Sequence, residues 1–266
     1  MCRLRIAALV KVAMDPNLMK VEPSGEVSLR QTAMAIAEYD RNAVQAALDL
    51  RDKLGGQVAA LSASTWGMSS ERRKDYEAAL REALAMGVDE AHMVLDDSLT
   101  GVPLDTARAL AALARSLGGF DVYIASEGSS DMVSGQVAPM LAAILGLPAF
   151  TYVKRIEPEG GSLRLTRDLE DALETLRASP PLVMSVTGES SKPRLPTLMQ
   201  IRRAFSKPLK FYSLADLGVS PSGRARRTAL RALVQKRKNV YIDGSKPDEA
   251  ATKLIAALAE EGVIRA

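Results

Sequence analysis

The stretch "DVYIASEGSSDMVSGQVAPMLAAILGLP", Asp121 to Pro148, joins an apolar run to a small polar loop and then to a helical pattern. "DVYIA" predicts a buried strand, and the last part repeats its apolar residues at the spacing of a core-facing helix. Pro139 lacks an N–H and must lie in the first turn, so the helix is predicted to start between Gly135 and Ala138. The loop Ser126 to Gly135 therefore leads from a strand into a helix N-terminus, where parallel sheets bind nucleotide phosphates.

Strand-length apolar runs alternate with amphipathic helices through the first two thirds of the chain. Further strands are predicted at "RIAALV" (Arg5–Val10), "QVAALSA", "AHMVL" and "PLVMSVT". Helices are predicted after Asp40 as N-cap, from about Ser70, and around Pro103 in a first turn. This alternation predicts an α/β fold, a mostly parallel Rossmann-like open sheet with helices on both faces.

Two hairpins and a C-terminal arm complete the prediction. "LMKVE" and "EVSLRQ" flank the turn Pro23-Ser24-Gly25, and "TYVKRIEPE" and "SLRLTRDL" flank Gly160-Gly161. After Val219 come a linker "SPSG", the basic stretch "RARRTALRALVQKRK", a short strand "NVYI" and a helix from Asp248 to about Glu261. We expect residues 1–219 to form the α/β domain, including an exposed loop at 188–206, and residues 220–266 to form an arm.

Composition narrows the function classes. The 266 residues are 47% hydrophobic and 25% charged, typical of a globular chain, and no apolar run is long enough to span a membrane. Cys2 and His92 are the single cysteine and histidine, which argues against disulfides, thiolate metal clusters and a hydrolase triad. His92 lies in an apolar strand pattern and is interpreted as structural. The single cysteine and the lack of a signal-peptide pattern favour a reducing cytoplasm.

The net charge of +3 is unevenly distributed along the chain. Between Lys192 and Lys238 there are thirteen basic residues and one acid, whereas the residues before Lys192 carry nineteen basic and twenty-six acidic side chains. Such a basic region suits nucleic acid, an anionic membrane surface or an acidic protein partner. It holds few aromatic side chains, so a stacking platform for single strands is not evident.

Nucleotide binding without catalytic machinery is the function that the motifs favour. The chain has no GxGxxG, no GxxxxGK[ST] and no GxSxG. The loops that follow the predicted strands, "VKVAMDPN", "SASTWGMSS", "SEGSSDMVSGQ" and "TGESSKP", are rich in Ser, Gly and Thr. Hydroxyls and close backbone approach suit a phosphate or ribose, although such residues are also common in ordinary turns.

Whole phrases resemble the β subunit of electron transfer flavoprotein. They are "LVKVAMDPN", "EYDRNAVQAALDLRDK", "EALAMGVDEAHMV", the opening loop, "LTRDLEDALETL" with "PPLVMSV", and "KPRLPTLMQIRRAFSKPL". The resemblance implies a heterodimer with an α subunit that carries an electron-transferring FAD. In ordinary members the β subunit holds a structural AMP, whereas in electron-bifurcating members the same site holds a second FAD that takes a hydride from NADH. It also implies a partner-recognition loop at 188–206, an arm at 220–266 that wraps the α subunit, and dehydrogenase or quinone oxidoreductase partners. It favours protein partners over nucleic acid for the basic region.

The resemblance also assigns site residues by position. The expected cofactor-binding residues are Leu9, Val10, Lys11, Ser62, Ala63, Asp131, Ser134, Gly135, Gln136, Val137 and Pro139. Ordinary members have a Thr that helps bind the AMP phosphate, and bifurcating members tend toward Gln-Val-Gly-Pro. Gln136, Val137 and Pro139 resemble the second pattern, and "LEDA" resembles its Glu-Asp-Gly. The expectation is therefore a bifurcating β subunit with FAD; the alternatives are an ordinary AMP-binding subunit and a stand-alone nucleotide-binding sensor.

Other positions carry weaker expectations. Lys11, Arg155 and Arg167 are candidates for a positive charge that tunes the flavin. Trp66 is interpreted either as a cover for a ring system or as packing. "KPRLPTLMQI" resembles the loop with which the family recognises partner dehydrogenases, so Leu198, with Leu195, is expected to be an exposed anchor or else to pack against the domain. Gly128 to Ser130 depart from the family pattern.

Overall fold

The computed structural model describes residues 4–232 and 238–265. The strands in chain order are β1 (Arg5–Leu9), β2 (Val12–Met14), β3 (Met34–Ile36), β4 (Gln57–Ala63), β5 (Glu90–Val94), β6 (Val122–Ser126), β7 (Ala149–Glu159), β8 (Ser162–Asp168), β9 (Leu173–Ala178), β10 (Leu182–Val186) and β11 (Leu209–Tyr212). The α-helices are α1 (Glu38–Leu54), α2 (Arg73–Met86), α3 (Pro103–Ser116), α4 (Val137–Leu145), α5 (Leu198–Ala204) and α6 (Pro247–Glu260).

One sheet of nine strands organises the first compact unit, which ends at Arg231. Its order is β11-β5-β4-β1-β6-β10-β7-β8-β9. Every pair from β11 to β7 is parallel, and β8 and β9 add an antiparallel extension. The expected mostly parallel open α/β sheet is confirmed.

Helices cover both faces of this sheet because alternate strand residues point to opposite sides. In β1, Ile6 and Ala8 join the core formed with α1 and α2. Ala7 and Leu9 join the core formed with α3 and α4. A strand buried on both faces reads as a continuous apolar run, which is why "RIAALV" was recognisable from sequence alone.

The segment before α1 differs from its prediction. The turn at 23–25 forms, but the expected hairpin is reduced to a single bridge between Val21 and Val27. The antiparallel pair in this region is instead β2 with β3. Asp40 is not the N-cap, because α1 begins at Glu38 and Ala37 occupies the cap position without a side-chain hydrogen bond.

Two edge strands were missed and one strand was predicted wrongly. β9 has mostly exposed residues and β11 has only four, so neither gives a clear apolar pattern. The hairpin of β7 and β8 is confirmed. "NVYI" forms no strand: Val240 and Tyr241 are largely exposed, and no ladder among the described residues includes them.

The second compact unit runs from Ala232 to Ala266 and contains α6, so the predicted C-terminal helix is confirmed. Part of the basic stretch, residues 233–237, lies outside the described residues. The first unit extends beyond the expected boundary at 219 because Ser222 and Arg227 hydrogen-bond to Asp105 and to the Thr100 carbonyl. The assignment of residues 220–266 as a partner-binding arm stays a prediction.

Candidate functional site

A pocket lies where the direction of chain winding reverses. From β1 the chain adds β4 and then β5 on one side, and it returns to place β6 on the other side of β1. The crevice outside the carboxyl ends of β1 and β6 is the topological switch point at which open α/β sheets bind ligands. Leu9 and Val10 line the pocket from the end of β1, and Ala125 and Ser126 line it from the end of β6.

Seven of the residues expected from the sequence line this pocket: Leu9, Val10, Lys11, Ser134, Gly135, Gln136 and Val137. The other four expected residues do not line it. Ser62 and Ala63 are buried in β4, Asp131 pairs with Lys11, and Pro139 lies in the first turn of α4. The binding role of all eleven stays a prediction.

The N-terminus of α4 presents free backbone donors to the pocket. Gln136 is the N-cap and makes no side-chain cap, and the first intrahelical bond runs from the Met140 amide to the Gln136 carbonyl. The amides of Val137 and Ala138 therefore have no acceptor within the helix. Gly135, at φ +61°, brings the loop close to the Glu127 carbonyl, which an added Cβ would approach to 3.2 Å. The positive end of the helix dipole faces this opening.

Asp40 explains why α1 lacks its predicted cap. Its carboxylate accepts a hydrogen bond from the Lys11 amide at 2.5 Å and another from the Ser126 hydroxyl. It therefore ties the end of β1 to the end of β6 in the wall of the pocket, which Asp40 lines. Burial raises the pKa of Asp40 to about 6, although the two hydrogen bonds and the Lys11 charge act in the opposite direction.

A second carboxylate fixes the loop after β6. The Lys11 ammonium lies 2.6 Å from Asp131 Oδ1 and 3.0 Å from Ser129 Oγ. The Asp131 side chain is only 2% exposed, and it also accepts from the Met14 amide at 3.2 Å. Gly128 and Ser129, which departed from the family pattern, line the pocket. Ser129 also donates to Asp131, so this serine belongs to the ion-pair network.

The three candidates for a tuning charge lie in different surroundings, and their role stays a prediction. Lys11 lines the pocket but is neutralised by Asp131. Arg167 pairs with Glu174 and donates to the Thr151 carbonyl. Arg155 lines a different groove, next to Lys53 and Asp49.

Part of the pocket wall consists of residues that the sequence did not predict as binding residues. Besides Ala125, Ser126, Gly128 and Ser129, this part consists of Asp40 in α1, Thr65 after β4, Gly101, Pro103, Thr106 and Leu110 before and in α3, Met132 in the loop after β6, and Ala138 in α4. The loop after β4 had been singled out, but the sequence did not indicate which of its residues faces the pocket. Trp66 is 3% exposed and lies 5.5 Å from the Lys11 ammonium and 5.0 Å from the Arg227 guanidinium, which fits the packing interpretation.

His92 has a structural environment. It is buried in β5, its Nδ1 lies 3.0 Å from the Tyr212 hydroxyl, and burial lowers its pKa. Among residues 4–232 and 238–265, no group of His, Cys, Asp and Glu is arranged to hold a metal ion. Within the same described ranges, no helix has the length and apolar character needed to cross a bilayer.

Two apolar side chains project from the loop at 188–206. Leu195 is 92% exposed and Leu198 is 80% exposed, so neither packs against the domain. Leu198 is the first residue of α5, which is fixed by a capping box between Thr197 and Gln200. A rigid helix start thus displays an apolar side chain to solvent.

Comparisons with known proteins agree with this architecture. Residues 26–217 match the family model described as "Electron transfer flavoprotein domain". The chain is 32% identical, over 220 residues and 81% of each chain, to the "Electron transfer flavoprotein subunit beta" of Thermoanaerobacterium thermosaccharolyticum.

The chain therefore belongs to the electron transfer flavoprotein family, the class whose β subunits are related to it over most of its length. Within that family it is a β subunit, and its function lies in electron transfer.

Proposed function

We propose that this β subunit pairs with an electron transfer flavoprotein α subunit and holds FAD in the pocket between β1 and β6. The FAD would accept a hydride from NADH and pass its electrons on separately. The chain itself supplies no acid–base group to this chemistry. Its residues bind the cofactor, hold it in a fixed orientation and leave it accessible to the electron donor.

The donors around the pocket suit a nucleotide. The amides of Val137 and Ala138 are available for a phosphate at the start of α4. Thr65 Oγ1 is buried beside the pocket without a hydrogen-bond partner among the described residues. The apolar wall from Leu9, Val10 and Leu110 suits a flat base. These groups would hold the adenosine diphosphate part of FAD.

The observation that favours FAD over AMP is the charge that the pocket offers to a phosphate group. Lys11 is the one cationic side chain among the described pocket residues, and Asp131 already pairs with it. A phosphate monoester carries about −1.5 to −2 charges at neutral pH. In FAD each of the two phosphate groups carries a single negative charge. Helix amides without a free cation therefore suit the FAD diphosphate better than the AMP monophosphate. Val137 also offers no hydroxyl where ordinary members place a Thr.

Two alternatives remain, and each predicts a different composition. An ordinary β subunit would hold AMP as a structural ligand and carry electrons from dehydrogenases to a quinone oxidoreductase. A stand-alone nucleotide-binding sensor would need no α subunit. The exposed Leu195 and Leu198 favour a docking role over the sensor, since exposed apolar anchors are typical of protein interfaces.

Co-expression with the α subunit and extraction of the bound nucleotides tests the proposal. We expect two FAD per heterodimer, released and quantified by chromatography. One FAD and one AMP would establish the ordinary type, and the lack of a stable heterodimer would leave only the sensor.

The variant Val137→Thr sharpens this test. It restores a hydroxyl at the start of α4 and is expected to lower FAD retention relative to AMP. Val133→Thr is the matched control, because Val133 lies in the same loop, is 72% exposed and does not line the pocket. Equal nucleotide contents in the two variants would contradict the role of Val137 in ligand choice.

A further inference from the structure

Thr65 lines the pocket, and its side-chain hydroxyl is buried and unsatisfied. The residue is 4% exposed, and its Oγ1 has no hydrogen-bond partner among the described residues. Buried polar side chains in folded proteins are nearly always paired with protein, ordered water or ligand. Because Thr65 lines the pocket, its missing partner can be a ligand.

The backbone around Thr65 is held in place by close contacts. The amide of Ser64 donates to the Val94 carbonyl at 2.8 Å, and the Gly67 amide donates to the Leu99 carbonyl at 2.9 Å. A Cβ on Gly101 would lie 2.9 Å from the Thr65 carbonyl oxygen, so the loop after β5 packs directly on this residue. The backbone of Thr65 is therefore held in place before a ligand arrives.

Thr106 shows how a satisfied threonine behaves at the same wall. It also lines the pocket, and it is 8% exposed. Its hydroxyl donates to the Val102 carbonyl at 3.3 Å, within the first turn of α3. The two threonines thus differ in whether the hydroxyl remains available.

The position of Thr65 indicates which part of a nucleotide it meets. Phosphate donors lie at the start of α4, which follows β6, whereas Thr65 follows β4, the neighbour of β1 on the opposite side. We propose that Thr65 Oγ1 hydrogen-bonds the nucleoside half of the bound adenine nucleotide, at a ribose hydroxyl or a ring nitrogen. This inference rests on the proposed nucleotide function and adds a recognition residue to it.

The test uses the complete heterodimer after dialysis has removed the nucleotide of the β subunit. Adenosine and AMP are titrated calorimetrically into wild type, Thr65→Val, Thr65→Ser and Thr106→Val. We expect Thr65→Val to bind both probes about five- to tenfold more weakly, as the loss of one hydrogen bond implies. Thr65→Ser keeps the hydroxyl and should bind like wild type. Thr65→Val is expected to weaken binding more than Thr106→Val, because the Thr106 hydroxyl is already bonded within α3.

The results distinguish a failure of this inference from a failure of the proposed nucleotide function. Unchanged affinity in Thr65→Val overturns the role of the hydroxyl, and a loss seen with AMP but not with adenosine overturns its assignment to the nucleoside half. A wild-type heterodimer that binds neither probe overturns the nucleotide proposal together with this inference. Without ligand, Thr65→Val should unfold at a temperature no lower than that of wild type, because the substitution removes a buried hydroxyl that has no hydrogen-bond partner among the described residues.

Discussion

The stability of Asp40→Asn relative to wild type should increase as the pH rises. In the folded chain Asp40 is a buried residue in the pocket wall, and burial raises the pKa of its carboxyl from the ordinary value of 3.8 to about 6. Between these pH values the folded protein keeps the proton that the unfolded chain has released. The stabilisation from Asp40 is therefore complete below pH 3.8 and is lost as the pH rises through 6. Asparagine does not titrate and lacks this loss.

The size of the effect follows from the two pKa values. Their difference corresponds to about 3 kcal/mol in the free energy of unfolding. The stability of Asp40→Asn minus that of wild type should rise by roughly that amount between pH 4 and pH 7. Lys11 favours the charged form and Asp131 opposes it, so both charges act on the same titration. The amide offers one acceptor oxygen where the carboxylate offers two, so Asp40→Asn should also lose the hydrogen bond from either the Lys11 amide or Ser126.

Urea unfolding followed by circular dichroism at several pH values measures this difference. Asp52→Asn serves as the control with the opposite sign, because a hydrogen bond from Arg51 lowers the pKa of Asp52. Its stability relative to wild type should fall as the pH rises to about the ordinary pKa of 3.8 and should stay nearly level above it. A difference between Asp40→Asn and wild type that is flat from pH 4 to pH 7 would refute the reasoning that burial governs this carboxyl.

Four further substitutions test the surface, the core and the backbone by the same unfolding assay. Leu198→Ala should change the free energy of unfolding by no more than about 0.5 kcal/mol, since the side chain is 80% exposed. Leu141→Ala, fully buried between α4 and the sheet, should cost about 2–5 kcal/mol, and similar values for both leucines would contradict the burial argument. Thr197→Ala removes the cap of α5 and should cost about 1 kcal/mol. Gly56→Ala should destabilise the protein more than Thr197→Ala, because φ is +122° and the new Cβ would lie 2.1 Å from the Leu4 carbonyl oxygen.

The sequence predicted the elements whose formation depends on local chemistry. The start of α4 was bracketed by Pro139 and was found at Val137. The strands buried on both faces were recognised because each is a short continuous apolar run. β9 and β11 lie at the two edges of the sheet, where fewer side chains need to be apolar, and they were missed.

Sequence alone determined the α/β class, the family and the loop that faces the switch point, since these depend on periodicity and on motifs contiguous in the chain. Tertiary structure decided which polar groups have a hydrogen-bond or ion-pair partner and which have none among the described residues. Asp40 caps no helix because the ends of β1 and β6 bring it two better donors. Lys11 is neutralised by an aspartate 120 residues away. Thr65 and Thr106 have the same side chain, and only their folded surroundings leave one hydroxyl bonded and the other available.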